Sequence, residues 1–296
     1  MNRARATWLD SVMTSPGVTS VMGAIALCAS VIAADTDIPS AAMWTGVTAA
    51  LLLLNKAFYF TQNPSPVIAG LFLMLQAAMP AYSSGENMDG ALLALAAIAG
   101  LAALCSCFSA PQKTRTLFIP FLIAGAGAVF SFAYLLLGAV FLAGIIQVRS
   151  FSPRGLLAAC LGMVTSPAIL YGFGIVPWRL PYMPDLTLPD ITALHTGMSL
   201  LASTLVCVAF GGACMLVAYG YPAKARACNA LVYSLTLCAM ALAAIDFNNV
   251  SEYIVLLNCC AAFHISHFAA THTRGWIAIA ITIAGCAALF IWNSCT

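Results

Sequence analysis

Apolar runs long enough to cross a lipid bilayer follow one another from Val18 to Trp292, and the breaks between them are only a few polar residues long. A helix needs roughly 20 mostly apolar residues to traverse a hydrocarbon core about 30 Å thick. The chain therefore reads as one crossing after another. With 62% hydrophobic and 7% charged residues, against about 25% charged in an ordinary soluble domain, it cannot clothe a water-facing surface. Residues 1–296 are expected to form a single all-α integral membrane domain with no soluble domain. The formal charge of +2 is scattered along the chain, so the expected partner is the bilayer and not nucleic acid.

Arg3 and Arg5 precede the apolar stretch from Val18 to Ala34. That stretch exceeds the 7–15 residues of a signal-peptide core, roughly, and further spans follow at once. It is expected to be the first span, left uncleaved. Splitting the runs at their polar breaks predicts eleven helices, near 18–34, 41–60, 65–82, 90–109, 116–131, 133–148, 155–177, 195–219, 227–245, 253–272 and 275–293.

Threading these alternately from a cytoplasmic N-terminus sorts the basic residues. Arg3, Arg5, Lys56, Lys113, Arg115, Arg149, Arg154, Lys224, Arg226 and Arg274 fall inside, and only Arg179 falls outside. The C-terminus is then external. Eight of the nine acids fall outside, with Asp10 the exception. Trp44, Trp178, Trp276 and Trp292 lie near helix ends, at the depth amphipathic rings prefer.

One segment is tight. Between Arg115 and Arg149 only 33 residues must cross twice, which leaves roughly 24 Å of helix per crossing. Two thin helices joined near Ser131–Tyr134 satisfy this, and so does a re-entrant hairpin shielded by its neighbours. The run Ala124–Ala128, AGAGA, permits close helix approach in both cases.

Polar residues within the spans carry the functional signal, because each costs free energy in hydrocarbon. Asn55, Gln76, Asn258, His264 and His267 are the candidates for a polar interior pocket. The same residue types also serve as interhelical hydrogen-bond glue. Three of the four histidines fall within HISHFAATHTRGW, residues 264–276. His264 and His267 lie about 60° apart on the helical wheel and on one face, Asn258 is far from them on it, and His272 marks the cytoplasmic boundary. His195 begins another helix at the opposite surface, and no carboxylate joins the pair within the spans, so neither a metal nor a cofactor is expected. The twelve cysteines show no paired CxxC spacing and are expected to be soft packing residues.

The outer loops offer a second cluster. Asp35, Asp37, Glu86, Asp89, Asp246 and Glu252 are candidates for an acidic rim, either solvated or able to hold a divalent cation or act as a general base. No catalytic residue is singled out.

NKAFYF (Asn55–Phe60), Pro80, Leu117–Gly138 and RSFSPRGLLAACLGMVTSP (Arg149–Pro167) resemble a polytopic inner-membrane family of the Bacteroidota, over roughly the first 175 residues. The resemblance implies a bacterial inner-membrane location and no particular chemistry. The short hairpin, basic turn and long helix are also similar to the membrane core of glycosyltransferases that use polyprenyl-phosphate sugars. There the catalytic acid sits in a long outer loop, whereas the loop holding Asp35 and Asp37 is short. Three functions follow as expectations: a cell-envelope assembly component handling lipid-linked glycan or similar material, alone or with other membrane proteins; a secondary transporter; and a glycosyltransferase-like enzyme.

Overall fold

The computed structural model describes residues 15–33, 38–58, 67–79, 84–178, 184, 194–272 and 275–295. Among these residues the chain forms eleven α-helices and no strand. They are α1 (Pro16–Ala33), α2 (Ile38–Phe58), α3 (Val67–Ala77), α4 (Ser84–Ser106), α5 (Thr114–Ala128), α6 (Ala133–Gln147), α7 (Pro153–Gly172), α8 (Leu194–Ala218), α9 (Ala223–Ile245), α10 (Val250–Thr271) and α11 (Gly275–Cys295). A 3-10 turn at Phe247–Asn249 joins α9 to α10. Each predicted span corresponds to one helix. Seven helices contain a stretch long and apolar enough to cross a membrane, and α3, α5 and α6 are shorter apolar helices. The protein is an all-α polytopic membrane bundle.

Local chemistry sets the ends. α7 opens on Ser152, whose hydroxyl accepts from the Gly155 N–H at 3.0 Å, with Pro153 as the first helical residue. Both choices satisfy or remove orphan donors at a helix start. α4 begins six residues earlier than predicted because the polar stretch SGENMD joins the helix, and acids in a first turn meet the positive end of the helix dipole. Pro120 and Pro167 lie inside helices that continue through them.

The segment between the basic turns is a helical hairpin. α5 and α6 have 15 residues each, about 22 Å of helix, and turn back at Val129–Phe132. The hairpin leans on α7 through glycines. A methyl at Gly125 would overlap the Met163 backbone, and one at Gly162 would overlap Phe118. Ser166 adds a hydrogen bond from its hydroxyl to the Leu122 carbonyl at 2.6 Å. The close approach expected of AGAGA is realised here, backbone against backbone.

At the basic end the two turns are knitted together. The Ser109 N–H donates to the Val148 carbonyl at 2.9 Å, Ser150 donates to the Cys107 carbonyl, and Ser152 to that of Pro111 at 3.3 Å. Ser109 and Arg149 adopt positive φ, 52° and 55°, to make these turns.

α10 is the axis of the bundle. It packs against α3, α4, α8, α9 and α11, and it is 83% buried where α7 and α8 are 22% buried. Those two outer helices expose large apolar side chains such as Leu157, Val164, Leu205 and Leu216, as lipid-facing helices do. One expectation fails: Trp44 is 4% exposed and belongs to the core, not to an interfacial belt. The first turns of α2 pack inward, so the ring goes with them.

Candidate functional site

The polar side chains of the spans converge on α10. At its N-terminal end the Asp246 carboxylate is buried between α9 and α10. One oxygen accepts from the Tyr253 hydroxyl at 2.8 Å and from the Asn249 amide at 3.0 Å. Asp246 thus departs from the expected solvated rim: its own turn folds over it. Asp89 is exposed and Glu252 half-buried. Asp35 and Asp37 lie outside the described residues, and of Glu86 only the backbone is described.

One turn deeper, three helices are tied by a chain of side chains. Ser203 on α8 donates to the Asn258 carbonyl oxygen at 2.9 Å, and the Asn258 amide donates to the Gln76 carbonyl oxygen on α3 at 3.2 Å. All three are buried. Asn258 and Gln76, read separately from the sequence, are therefore direct partners. Asn55, the fifth of the set, is buried on α2.

His264 faces α9. Its Nε2 lies 2.9 Å from the Thr236 hydroxyl, which itself donates to the Val232 carbonyl at 3.0 Å. His264 Nδ1 is buried without a partner. Gly211 on α8 makes room for the ring, since a methyl there would sit 3.2 Å from His264 Nε2 and from Tyr233. Cys214, three residues on, donates its thiol to the His264 carbonyl at 3.3 Å.

His267, fully buried, turns to the loop between α8 and α9. Its Nε2 is 3.0 Å from the Tyr221 hydroxyl, and the rings are 5.5 Å apart. Burial pushes the Tyr221 phenol above its ordinary value, so the hydroxyl keeps its proton. The two histidines share a helix face but bond to different elements. His272 is exposed at the end of α10, stacked on Phe268 at 3.8 Å with Nδ1 3.1 Å from the Phe268 carbonyl. Of His195 only the backbone is described, in the first turn of α8.

Sequence reasoning missed the partners: Ser203, Tyr221, Thr236 and the space left by Gly211. Serine and threonine in apolar helices ordinarily bond to their own backbone, as Thr48 does to the Trp44 carbonyl, so nothing in the sequence distinguishes a hydroxyl that reaches across. The eleven described cysteines are free thiols, nine of them buried. Cys207 and Cys214 on α8 donate to carbonyls of α10.

The second feature is a lateral groove between α1, α3 and α11. It encloses 140 Å³ and is lined by Met22, Ile25, Met74, Ala77, Ala78, Ile283, Cys286, Ala287 and Phe290. Its lining is apolar throughout. Compared with protein-family models, curated proteins and solved structures, the chain matches none.

Proposed function

We propose that the protein is a cell-envelope assembly component of a bacterial inner membrane that handles lipid-linked material by holding an apolar chain in its lateral groove. The groove is the observation that carries this reading. Its walls carry no charged side chain, and it lies between helices at the rim of the bundle. With the N-terminus cytoplasmic, α3 and α11 both run outward, and most of the residues they contribute come from their outer halves. The groove then belongs to the outer leaflet, where lipid-linked material is used in envelope assembly. A transporter would draw on α10, but there Ser203, Asn258 and Gln76 pair with one another across three helices, and Pro120 and Pro167 leave their helices unbroken.

Photo-crosslinking in nanodiscs tests the reading. A lipid carrying a diazirine on its tail should label Met22, Ile25, Met74 or Phe290, and Ala78→Trp, which fills the groove, should abolish that labelling while leaving the protein folded. Labelling spread evenly over the lipid-facing surfaces of α7 and α8, unchanged by Ala78→Trp, would refute it.

A further inference from the structure

Two thiols from different helices meet at the basic end of the bundle. Cys105, the penultimate residue of α4, and Cys228, in the second turn of α9, hydrogen-bond to each other. The packing around them agrees. A methyl at Gly144 on α6 would touch both Leu104 and Leu231, the residue beside Cys105 and the residue one turn beyond Cys228, so α4 and α9 converge at this level. Other buried thiols are turned to different partners: Cys207 and Cys214 donate to carbonyls of α10, and Cys107 lies 3.9 Å from the Ser106 hydroxyl.

Cysteines whose Cβ atoms point apart cannot be bridged without moving the backbone. Those of Cys105 and Cys228 point together, since their sulfurs already meet, and side-chain rotation closes the remaining gap. Cys105 is wholly buried and Cys228 is 3% exposed, yet both lie close to the surface. Lys224, one turn before Cys228 on the same helix face, is exposed, and Ser106, next to Cys105, is half-buried. A small uncharged oxidant can reach such a depth, whereas a bulky one is excluded. With the N-terminus cytoplasmic, this end faces a compartment that keeps thiols reduced, where the disulfides that do form are transient and redox-sensing.

We propose that Cys105 and Cys228 are an oxidation site, at which hydrogen peroxide forms a disulfide that clamps α4 to α9. One thiol gives up its proton, and its sulfur attacks a peroxide oxygen and displaces hydroxide, leaving a sulfenic acid. The sulfur of the second thiol then displaces that hydroxyl, which leaves as water with the second thiol's proton. Two thiols and one peroxide give one disulfide and two waters. The bond closes the chain across α5, α6, α7 and α8, a long loop whose closure restrains the unfolded state. It involves none of the residues that line the groove.

The test treats the full-length protein in nanodiscs with hydrogen peroxide, alkylates the remaining thiols in denaturant and maps the peptides by mass spectrometry. The wild type should lose two thiols per chain to a disulfide joining Cys105 to Cys228, at lower peroxide than modifies the exposed Cys160. Dithiothreitol should restore both thiols, and the oxidised protein should need more SDS to unfold. Cys228→Ser should abolish the crosslink and the SDS shift, whereas Cys160→Ser should abolish neither. Recovery of Cys105 and Cys228 as free thiols from wild type whose Cys160 is oxidised overturns the site, as does their crosslinking to other cysteines. A Cys105–Cys228 disulfide that leaves SDS unfolding unshifted overturns the clamp.

Discussion

Replacing Asn258 by leucine tests whether the three-helix chain through α10 is a cooperative unit. Asn258 is wholly buried and makes two side-chain hydrogen bonds, one accepted from Ser203 at 2.9 Å and one donated to Gln76 at 3.2 Å. Interhelical hydrogen bonds in membrane bundles contribute about 0.6 kcal/mol each on average and about 1.7 at most, so the two lost bonds amount to roughly 1.2 kcal/mol. Leucine shares the branching of asparagine and, being the larger side chain, leaves no cavity, but it strands the Ser203 hydroxyl and the Gln76 carbonyl oxygen in a dry interior. That penalty brings the expected destabilisation to about 2 kcal/mol. Steric trapping in bicelles, or unfolding by SDS titration, measures it. The mechanism makes a sharper claim than the size does. Ser203→Ala should cost about 0.6 kcal/mol in the wild type and almost nothing once Asn258 is leucine, because its partner is already gone. Strict additivity of the two substitutions, or an Asn258→Leu protein as stable as the parent, would refute the account of these residues as coupled glue.

Gly211→Val should destabilise by about 1–3 kcal/mol through overpacking against His264 and Tyr233, and His264→Ala should relieve much of that loss in the double variant, as read by the same unfolding assay. Tyr221→Phe and His267→Leu should not add, since each removes the same 3.0 Å contact; His272→Gln, at an exposed helix end, should change stability by less than about 0.5 kcal/mol. Gly125→Leu should separate α5 from α7 at the Met163 backbone, lowering the thermal midpoint of the purified protein more than Gly46→Leu, where a side chain meets open space. Reporter fusions at Lys113 and Glu86 should report opposite sides of the membrane, and two cytoplasmic readings would break the alternating topology.

The fold was legible because the bilayer reduces folding to a length problem. A helix is the only open element that pairs all its backbone groups in hydrocarbon, so an apolar run of sufficient length has one structure available to it, and all eleven runs took it. The hairpin between Arg115 and Arg149 was legible for the same reason: two basic ends so close together leave no room for long helices, and α5 and α6 are 15 residues each. Helix ends were read less well where polarity misled. SGENMD looked like a loop and is helix, since acidic residues are welcome in a first turn. Trp44 looked like an interfacial anchor because only its depth was visible, not the direction of its helix face, and depth alone does not say whether lipid or protein lies beside a ring.

The polar residues were found and their arrangement was not, for a reason that lies in how membrane bundles pack. Asn258, His264 and His267 were marked by their cost, and cost is a property of one residue. Which of them meet is a property of helix neighbours, and lipid-facing and protein-facing surfaces are equally apolar, so amphipathicity gives no sign of which face turns inward. On α10 the difficulty is greatest, since nearly every face is buried and each polar side chain addresses a different neighbour: Asn258 addresses α3 and α8, His264 addresses α9, and His267 the turn between α8 and α9. The wheel angle separating Asn258 from the histidines was the part of this that sequence did hold, and it corresponds to the divergence of their partners. The one trace of the partners was compositional. α8 places Ser203, Cys207, Gly211 and Cys214 along one stripe, small residues that let two parallel helices approach until side chains reach the opposing backbone. That stripe faces α10, where Ser203 meets Asn258, Cys207 the Leu257 carbonyl, and Gly211 and Cys214 His264.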